Sequence, residues 1–247
     1  YSGENQSGDL TLRRLLRRDG SSKTFVSFSG WARASSQFLD DTEIEVQRRR
    51  TGGWTLGADH RQFIGPATLD LDLSYRRGTG AAGALEAPEA WFGEGVSRPR
   101  ITSASAQLDW TFQLGGQRLR YGGSWRAQWS PNPLVPQDRF VIGGRHTVRG
   151  FDGESVLSAQ RGWLLRNELG FPLGEVGQEL FIGLDHGRVS GAGSELLAGH
   201  RLTGMVLGWR GGLPSLRVEL FAGAPVTKPP GFLAPDRLAG FSVTCFF

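Results

Sequence analysis

From Ala67 to Arg76 apolar and polar residues alternate without a break, with Ala67, Leu69, Leu71, Leu73 and Tyr75 on one parity and Thr68, Asp70, Asp72, Ser74 and Arg76 on the other. A repeat of two is the mark of a β-strand with one oily and one wet face. The pattern returns in residues 102–114, where Leu108, Trp110, Phe112 and Leu114 oppose Gln107, Asp109, Thr111 and Gln113. It returns again in residues 119–129, where Leu119, Tyr121, Trp125 and Trp129 oppose Arg118, Arg120, Ser124 and Arg126. Each stripe is long enough to cross a bilayer, which takes about 9–11 tilted strand residues. Less regular stripes cover residues 4–18, 24–34, 157–173, 178–189, 200–210, 216–226 and 237–247. Residues 42–64 are read as one long strand, because Ile44, Val46, Trp54, Leu56 and Ala58 keep a single parity through Gly52 and Gly53. The pattern therefore predicts eleven strands.

Between these stripes short and long connections alternate. The segments DGSS, GP, GGQ, GEVG and GGLPS are short, whereas residues 78–99 and 130–155 are long. Outer-membrane barrels have tight periplasmic turns and longer extracellular loops. The reading is an all-β chain forming a transmembrane antiparallel β-barrel in a bacterial outer membrane, with its C-terminus periplasmic. A soluble sandwich would carry polar residues on its outward face and no such rhythm of loop lengths. An odd number of strands does not close a bacterial single-chain barrel, and a bare first edge in lipid would leave backbone groups unsatisfied. The expectation is that residues 1–247 are the C-terminal part of a barrel of about 16 strands, with roughly five strands upstream.

The chain is only 38% hydrophobic with four His and one Cys, and its mean hydropathy is -0.28. A barrel hides its lipid face in every second residue, so a low mean fits it, and no run approaches the ~20 apolar residues of a membrane helix. The formal charge of +4 rests on 26 Arg and two Lys scattered over nearly every segment. That scatter argues against a nucleic-acid-binding arm. No ligand spacing for a metal, no nucleotide-binding motif and no nucleophile beside a positioned base emerges, so the chain is read as a non-enzyme without cofactor. His60 and His186 fall on the lipid-facing parity, while His146 and His200 lie in or beside loops. Lone Cys245 is read as a small apolar side chain near a strand end.

On the wet parity acids and bases are mixed: Arg118, Arg120, Arg126, Arg166 and Arg217 stand beside Asp70, Asp72, Asp109, Glu168 and Glu219. A wall of both signs keeps a lumen hydrated and favours no single small ion, which suits a polypeptide conduit and equally the polar inside of any barrel of this size. Arg48 and Arg50 share the lipid-facing parity and are candidates for lipopolysaccharide phosphates or for surface solvation.

The longest connection contains DRFVIGGRHTVRGFDGE, and a later strand contains FIGLDHG. These blocks resemble the VRGF or VRGY loop motif and the F-x-G-x-D-x-G strand motif of two-partner secretion transporters, the TpsB family. The loop match falls on Gly143, Gly144, Val148, Arg149, Gly150 and Phe151, and the wall match on Phe181, Gly183, Asp185 and Gly187. Order and strand spacing also agree. The resemblance implies type V secretion of a long exoprotein, a haemagglutinin-like adhesin of the TpsA kind, across the outer membrane. It also implies a plug helix and two POTRA domains ahead of the barrel, neither of which this sequence contains. A terminal strand ending in Phe247 resembles the assembly signal of such barrels, which implies the barrel-assembly machinery as a partner during biogenesis.

The alternation gives the two blocks a geometry. Leu180, Ile182 and Leu184 face one way and Phe181, Gly183, Asp185 and Gly187 the other, so Asp185 points into the lumen. The planar fork of Arg149 matches a carboxylate with two parallel hydrogen bonds. The expectation is that the loop of residues 131–156 folds back into the barrel and docks Arg149 on Asp185. A passive porin and a barrel-assembly factor of the same superfamily are the alternatives.

Overall fold

The computed structural model describes residues 2–40, 42–174, 177–213 and 215–246; the side chain of Val46 is not described, and Phe247 lies outside the described residues. The strands are β1 (Ser2–Arg18), β2 (Ser22–Leu39), β3 (Thr42–Glu43), β4 (Arg49–Ile64), β5 (Ala67–Thr79), β6 (Arg100–Leu114) and β7 (Gln117–Trp129). They continue with β8 (Phe140–Ile142), β9 (Leu157–Ala159), β10 (Arg161–Leu173), β11 (Gln178–Ser190), β12 (Arg201–Leu213), β13 (Leu216–Thr227) and β14 (Leu238–Cys245). Eleven long strands follow one another along one sheet in the order β1-β2-β4-β5-β6-β7-β10-β11-β12-β13-β14, with β3 added on β2, while β8 and β9 form a separate hairpin. Helical structure among the described residues is confined to short 3₁₀ turns.

The chain divides into two compact units, Tyr1–Arg61 with Leu71–Ala104 and Gln128–Arg139, and Gln62–Asp70 with Ser105–Ala127 and Phe140–Phe247. In the first, the β1–β2 turn is closed by Asp19. Its Oδ1 accepts from the backbone N–H of Ser21 (2.9 Å) and of Ser22 (2.7 Å), and the Ser22 hydroxyl donates to Oδ2 (3.0 Å). Led by the Ser21 N–H, these donors hold the carboxyl well below the usual carboxylate range. On the outward parity Phe28, Trp54 and Tyr75 line up across β2, β4 and β5, with ring centroids 6.4 and 5.6 Å apart. Such a row suits the interfacial belt of a membrane barrel.

Two predicted strands are broken. The stripe assigned to residues 42–64 pairs with β2 at Thr42–Glu43, turns through a 3₁₀ element at Glu45–Gln47, and resumes beside β2 as β4 at Arg49. The Gln47 N–H donates to Ile44 O and the Arg48 N–H to Glu45 O, so local turns take the donors that a ladder would have used. Gly52 and Gly53 do lie inside β4; a Cβ on Gly53 would meet Arg77 O at 2.1 Å and the Trp31 ring at 2.8 Å. The stripe at 157–173 divides at Gln160. Its first three residues pair with β8 in the register Phe140↔Ala159, Val141↔Ser158, Ile142↔Leu157. The Gln160 amide then binds both the N–H and the carbonyl of Ala192 in the next long connection (3.2 and 3.1 Å).

In the second unit the wall β10–β14 is antiparallel throughout. Along β11, outward Leu180, Ile182 and Leu184 are 42, 44 and 52% exposed, whereas inward Phe181 and Asp185 are 2 and 0% exposed. An inner face this well covered, beside an outer face this bare, shows what the loops do. The part of the β7–β10 connection from Phe140 to Ala159 lies against the inner face, and Ile142, Val148, Phe151, Leu157 and Ala159 join Leu164, Val189, Leu202 and Phe232 in one buried apolar cluster.

Candidate functional site

The tip of the β8–β9 hairpin is shaped by a tight turn. Thr147 Oγ1 accepts from the N–H groups of Gly143 and Gly144 (3.0 Å each), and the Thr147 N–H donates to Gly144 O (2.9 Å). Gly150 then adopts φ 98°, a conformation that side-chain-bearing residues rarely take. The turn delivers Arg149 to the wall.

Arg149 Nε donates to Asp185 Oδ2 (2.7 Å) and Nη2 to Oδ1 (2.8 Å), and the backbone N–H of Arg149 adds a third bond to Oδ2 (3.0 Å). Its remaining nitrogen, Nη1, reaches Glu168 Oε2 on β10 (2.5 Å), and Nη2 also contacts Asn167 O (3.3 Å). The guanidinium is 11% exposed and the Asp185 carboxylate is not exposed at all. One cation thus holds two acids with every face of its fork used.

The backbone around this contact needs glycine on the wall as well as on the loop. A Cβ on Gly183 would lie 2.5 Å from Arg149 Nη2, and one on Gly187 would lie 2.9 Å from Val148. On β12, a Cβ on Gly204 would fall 1.8 Å from Arg149 O, and on β13 one on Gly223 would meet Gly150 Cα at 3.1 Å. Three strands therefore present a side-chain-free trough to the loop. Phe151, 1% exposed, leaves the trough edge-on to Phe232 of the β13–β14 connection, with centroids 5.8 Å apart.

Below the loop the wall charges form a second tier. Arg120 binds Glu179 (2.9 Å) and Glu168 (2.7 Å), with Asp109 at 3.9 Å. Arg210 hydrogen-bonds Glu168, lies 2.9 Å from Glu179 without the alignment of a hydrogen bond, and stacks on Phe181 (4.3 Å). Arg126 Nη2 donates to the carbonyl of His146 on the loop (3.1 Å). Glu219 pairs with Arg145 at 3.4 Å, Arg145 stacks on Phe221 at 4.5 Å, and Arg217 lies 5.3 Å over Phe246. Between loop and wall remains a cavity of about 240 Å³ whose rim carries Arg145, Arg149, Arg166 and Arg210. Asp70 and Asp72 lie on β5 and Arg118 on β7. In the other unit, Arg48 and Arg50 line a cavity of about 430 Å³, and Arg48 is 3.6 Å from Glu43. Nearby, Glu89 chelates Arg49, whose guanidinium holds the carboxyl below its ordinary value against the opposing effect of burial.

Of the residues singled out in the sequence, the structure brings together all of those in the loop motif and the wall motif. Glu168 stands in the sequence reading only as a lumen charge, yet it is the second acid on Arg149. The register Arg166↔Asp185, Glu168↔Gly183 follows from the tight β10–β11 connection and the alternation. Gly204 and Gly208 repeat on β12 the inward, four-residue spacing of Gly183 and Gly187. Both signals are present in the chain. Nothing comparable marks Phe232, which is supplied by a connection without pattern.

The family model described as "Haemolysin secretion/activation protein ShlB/FhaC/HecB" matches residues 1–211. The chain belongs to this family. It is 32% identical over 250 residues to the outer membrane transporter CdiB-2 of Burkholderia pseudomallei (strain 1026b), covering all of this chain and 43% of that protein. The solved structure of CdiB from Acinetobacter baumannii superposes with a TM-score of 0.87 at 36% identity over 98% of this chain and 42% of the other. BamA from Haemophilus ducreyi shares the fold at 9% identity, with a TM-score of 0.65, over 99% of this chain and 55% of its own. The chain thus spans less than half the length of the CdiB relatives. As a ShlB/FhaC/HecB member it has the strand architecture of outer-membrane β-barrel transporters, a family of transporters rather than of enzymes.

Proposed function

We propose that this chain supplies the wall of an outer-membrane barrel that exports a partner exoprotein by two-partner secretion, with the C-terminus periplasmic. In this reading the Arg149 loop is the element that sets the width and shape of the conduit beneath it. Supporting it is the three-bond hold of Arg149 on a fully buried Asp185, on the inner face of a strand whose other face is bare Leu and Ile. Such a contact fixes where the loop sits, since both carboxylate oxygens and the loop's own backbone N–H take part in it. The mixed-sign wall beneath it gives a passing chain hydrogen-bonding partners of either charge. Arg48 and Arg50 are proposed to meet lipopolysaccharide phosphates, and the terminal strand to be read by the barrel-assembly machinery.

In the full-length protein, Arg149→Ala is expected to reduce secretion of the exoprotein at least about tenfold, while leaving the amount of heat-modifiable barrel in the outer membrane close to that of the parent. Secretion at the parental level would show that docking by Arg149 has no part in export.

A further inference from the structure

Arg166 stands on β10 directly across the ladder from Asp185. Its Nε is 3.6 Å from Asp185 Oδ2, too long for a hydrogen bond, while Arg149 bonds both carboxylate oxygens. Asp185 is the only acid within ion-pair range of Arg166 among the described residues, and the Arg166 side chain is 29% exposed. Two guanidiniums therefore converge on one buried carboxylate, and only one is bonded to it. A like charge held this close to Arg149 disfavours the docked loop, so its presence calls for a reason.

The other acid on Arg149 shows the same doubling. Glu168 binds Arg120 and Arg210 as well as Arg149, so removing Arg149 leaves it matched. Asp185 has no such second bond in the docked state; it has Arg166 waiting at 3.6 Å. We infer that Arg166 is a positioning residue that takes over Asp185 when the loop tip leaves the wall. The handover moves the Arg166 fork by less than an ångström, to hydrogen-bond distance. It leaves no unmatched acid in the lumen and frees Arg149 to follow its loop into water. The ionic part of the docking is thereby made reversible, and what the tip gives up on leaving is the burial of Val148 and Phe151. This deepens the secretion reading and rests on its docked loop.

The test measures docking without measuring export. In the full-length transporter in outer-membrane vesicles, with Cys245 and any other native cysteine changed to serine, Val148→Cys reports the state of the tip. Val148 is fully buried against Gly187, so a charged, membrane-impermeant maleimide reaches it only when the tip is off the wall. Arg166→Gln is expected to slow this labelling about tenfold, because the docked state loses a repulsion and the undocked state loses its replacement cation. In an Asp185→Asn background there is no charge to hand over and only the repulsion between Arg166 and Arg149 is relieved, so the same change should slow labelling markedly less. Labelling of Arg166→Gln at or above the parental rate overturns the inference, as does equal slowing in both backgrounds. If Arg166→Gln does not reach the membrane, Arg166→Lys is read instead, since it keeps the charge without the fork; slowing of about threefold supports the exchange and no slowing overturns it. Normal export by Arg149→Ala alongside slowed labelling by Arg166→Gln would sink the secretion role of the loop and leave the exchange standing.

Discussion

Gly204 carries no side chain because the carbonyl oxygen of Arg149 takes its place, 1.8 Å from where a Cβ would sit. The obstacle is backbone on the loop, which cannot swing aside as the end of a long side chain can. Gly204→Ala should therefore lift the tip and stretch the Arg149–Asp185 bonds, at a cost of about 1–3 kcal/mol for the overpacking. The expected outcome is faster modification of Val148→Cys and reduced export, with the barrel retained. Gly30→Ala is the control, since a Cβ there meets nothing within 4 Å; matching behaviour of the two variants would show that the trough has no role. At this scale the chain is partly readable. The types and spacing of Arg149, Asp185, Gly183 and Gly187 declare a cation meeting an acid in a cleared space. That Gly204 and Gly223 complete the space depends on which carbonyl comes near, which no local pattern encodes.

The long strands of the wall are legible because one physical demand, oil outside and water inside, is imposed on every second residue for the full width of the sheet. The β8–β9 hairpin is not legible, because each strand has three residues, too few for an alternation to stand out. The same holds for the 3₁₀ turn at Glu45–Gln47, where turn hydrogen bonds interrupt a stripe whose parity continues by chance of composition. The two motif blocks declare one ion pair, whereas in the structure the loop's hold is shared. Ile142, Val148, Phe151 and Leu157 are each 0 or 1% exposed, and burial of such side chains contributes about 1.5–3 kcal/mol each as an upper bound. Together they outweigh the ion pair, whose part is to fix where the loop sits. Phe232, from the β13–β14 connection, closes this cluster at 6% exposure. Phe232→Ala is expected to cost about 3–5 kcal/mol locally. Hydrogen exchange should quicken across residues 143–156 and stay unchanged in the β11–β12 ladder; uniform quickening of both would mean that the loop and wall unfold as one.

In the wall of the second unit the burial pattern is inverted relative to a protein dissolved in water. Ile182, Leu184, Met205, Leu207, Leu220, Phe241 and Val243 are 41–70% exposed on neighbouring strands, while Asp185 is fully covered and Glu168 nearly so. A contiguous apolar band of this kind in water marks a surface awaiting a partner, and in an outer-membrane transporter family the partner is hydrocarbon. The two faces should then respond oppositely to charge. Ile182→Arg, at the middle of β11 on the bare face, is expected to cost about 2–4 kcal/mol, as for a cation at the midplane of a barrel. The measurement is the urea midpoint of the full-length protein refolded into phospholipid vesicles. Lengthening the lipid chains deepens the midplane and should widen the penalty, whereas a face packed on protein would lose stability through steric overlap, equally in thin and thick bilayers. A penalty that ignores bilayer thickness would overturn the assignment of this face to lipid, and with it the inside-outside sense on which the docking of Arg149 depends.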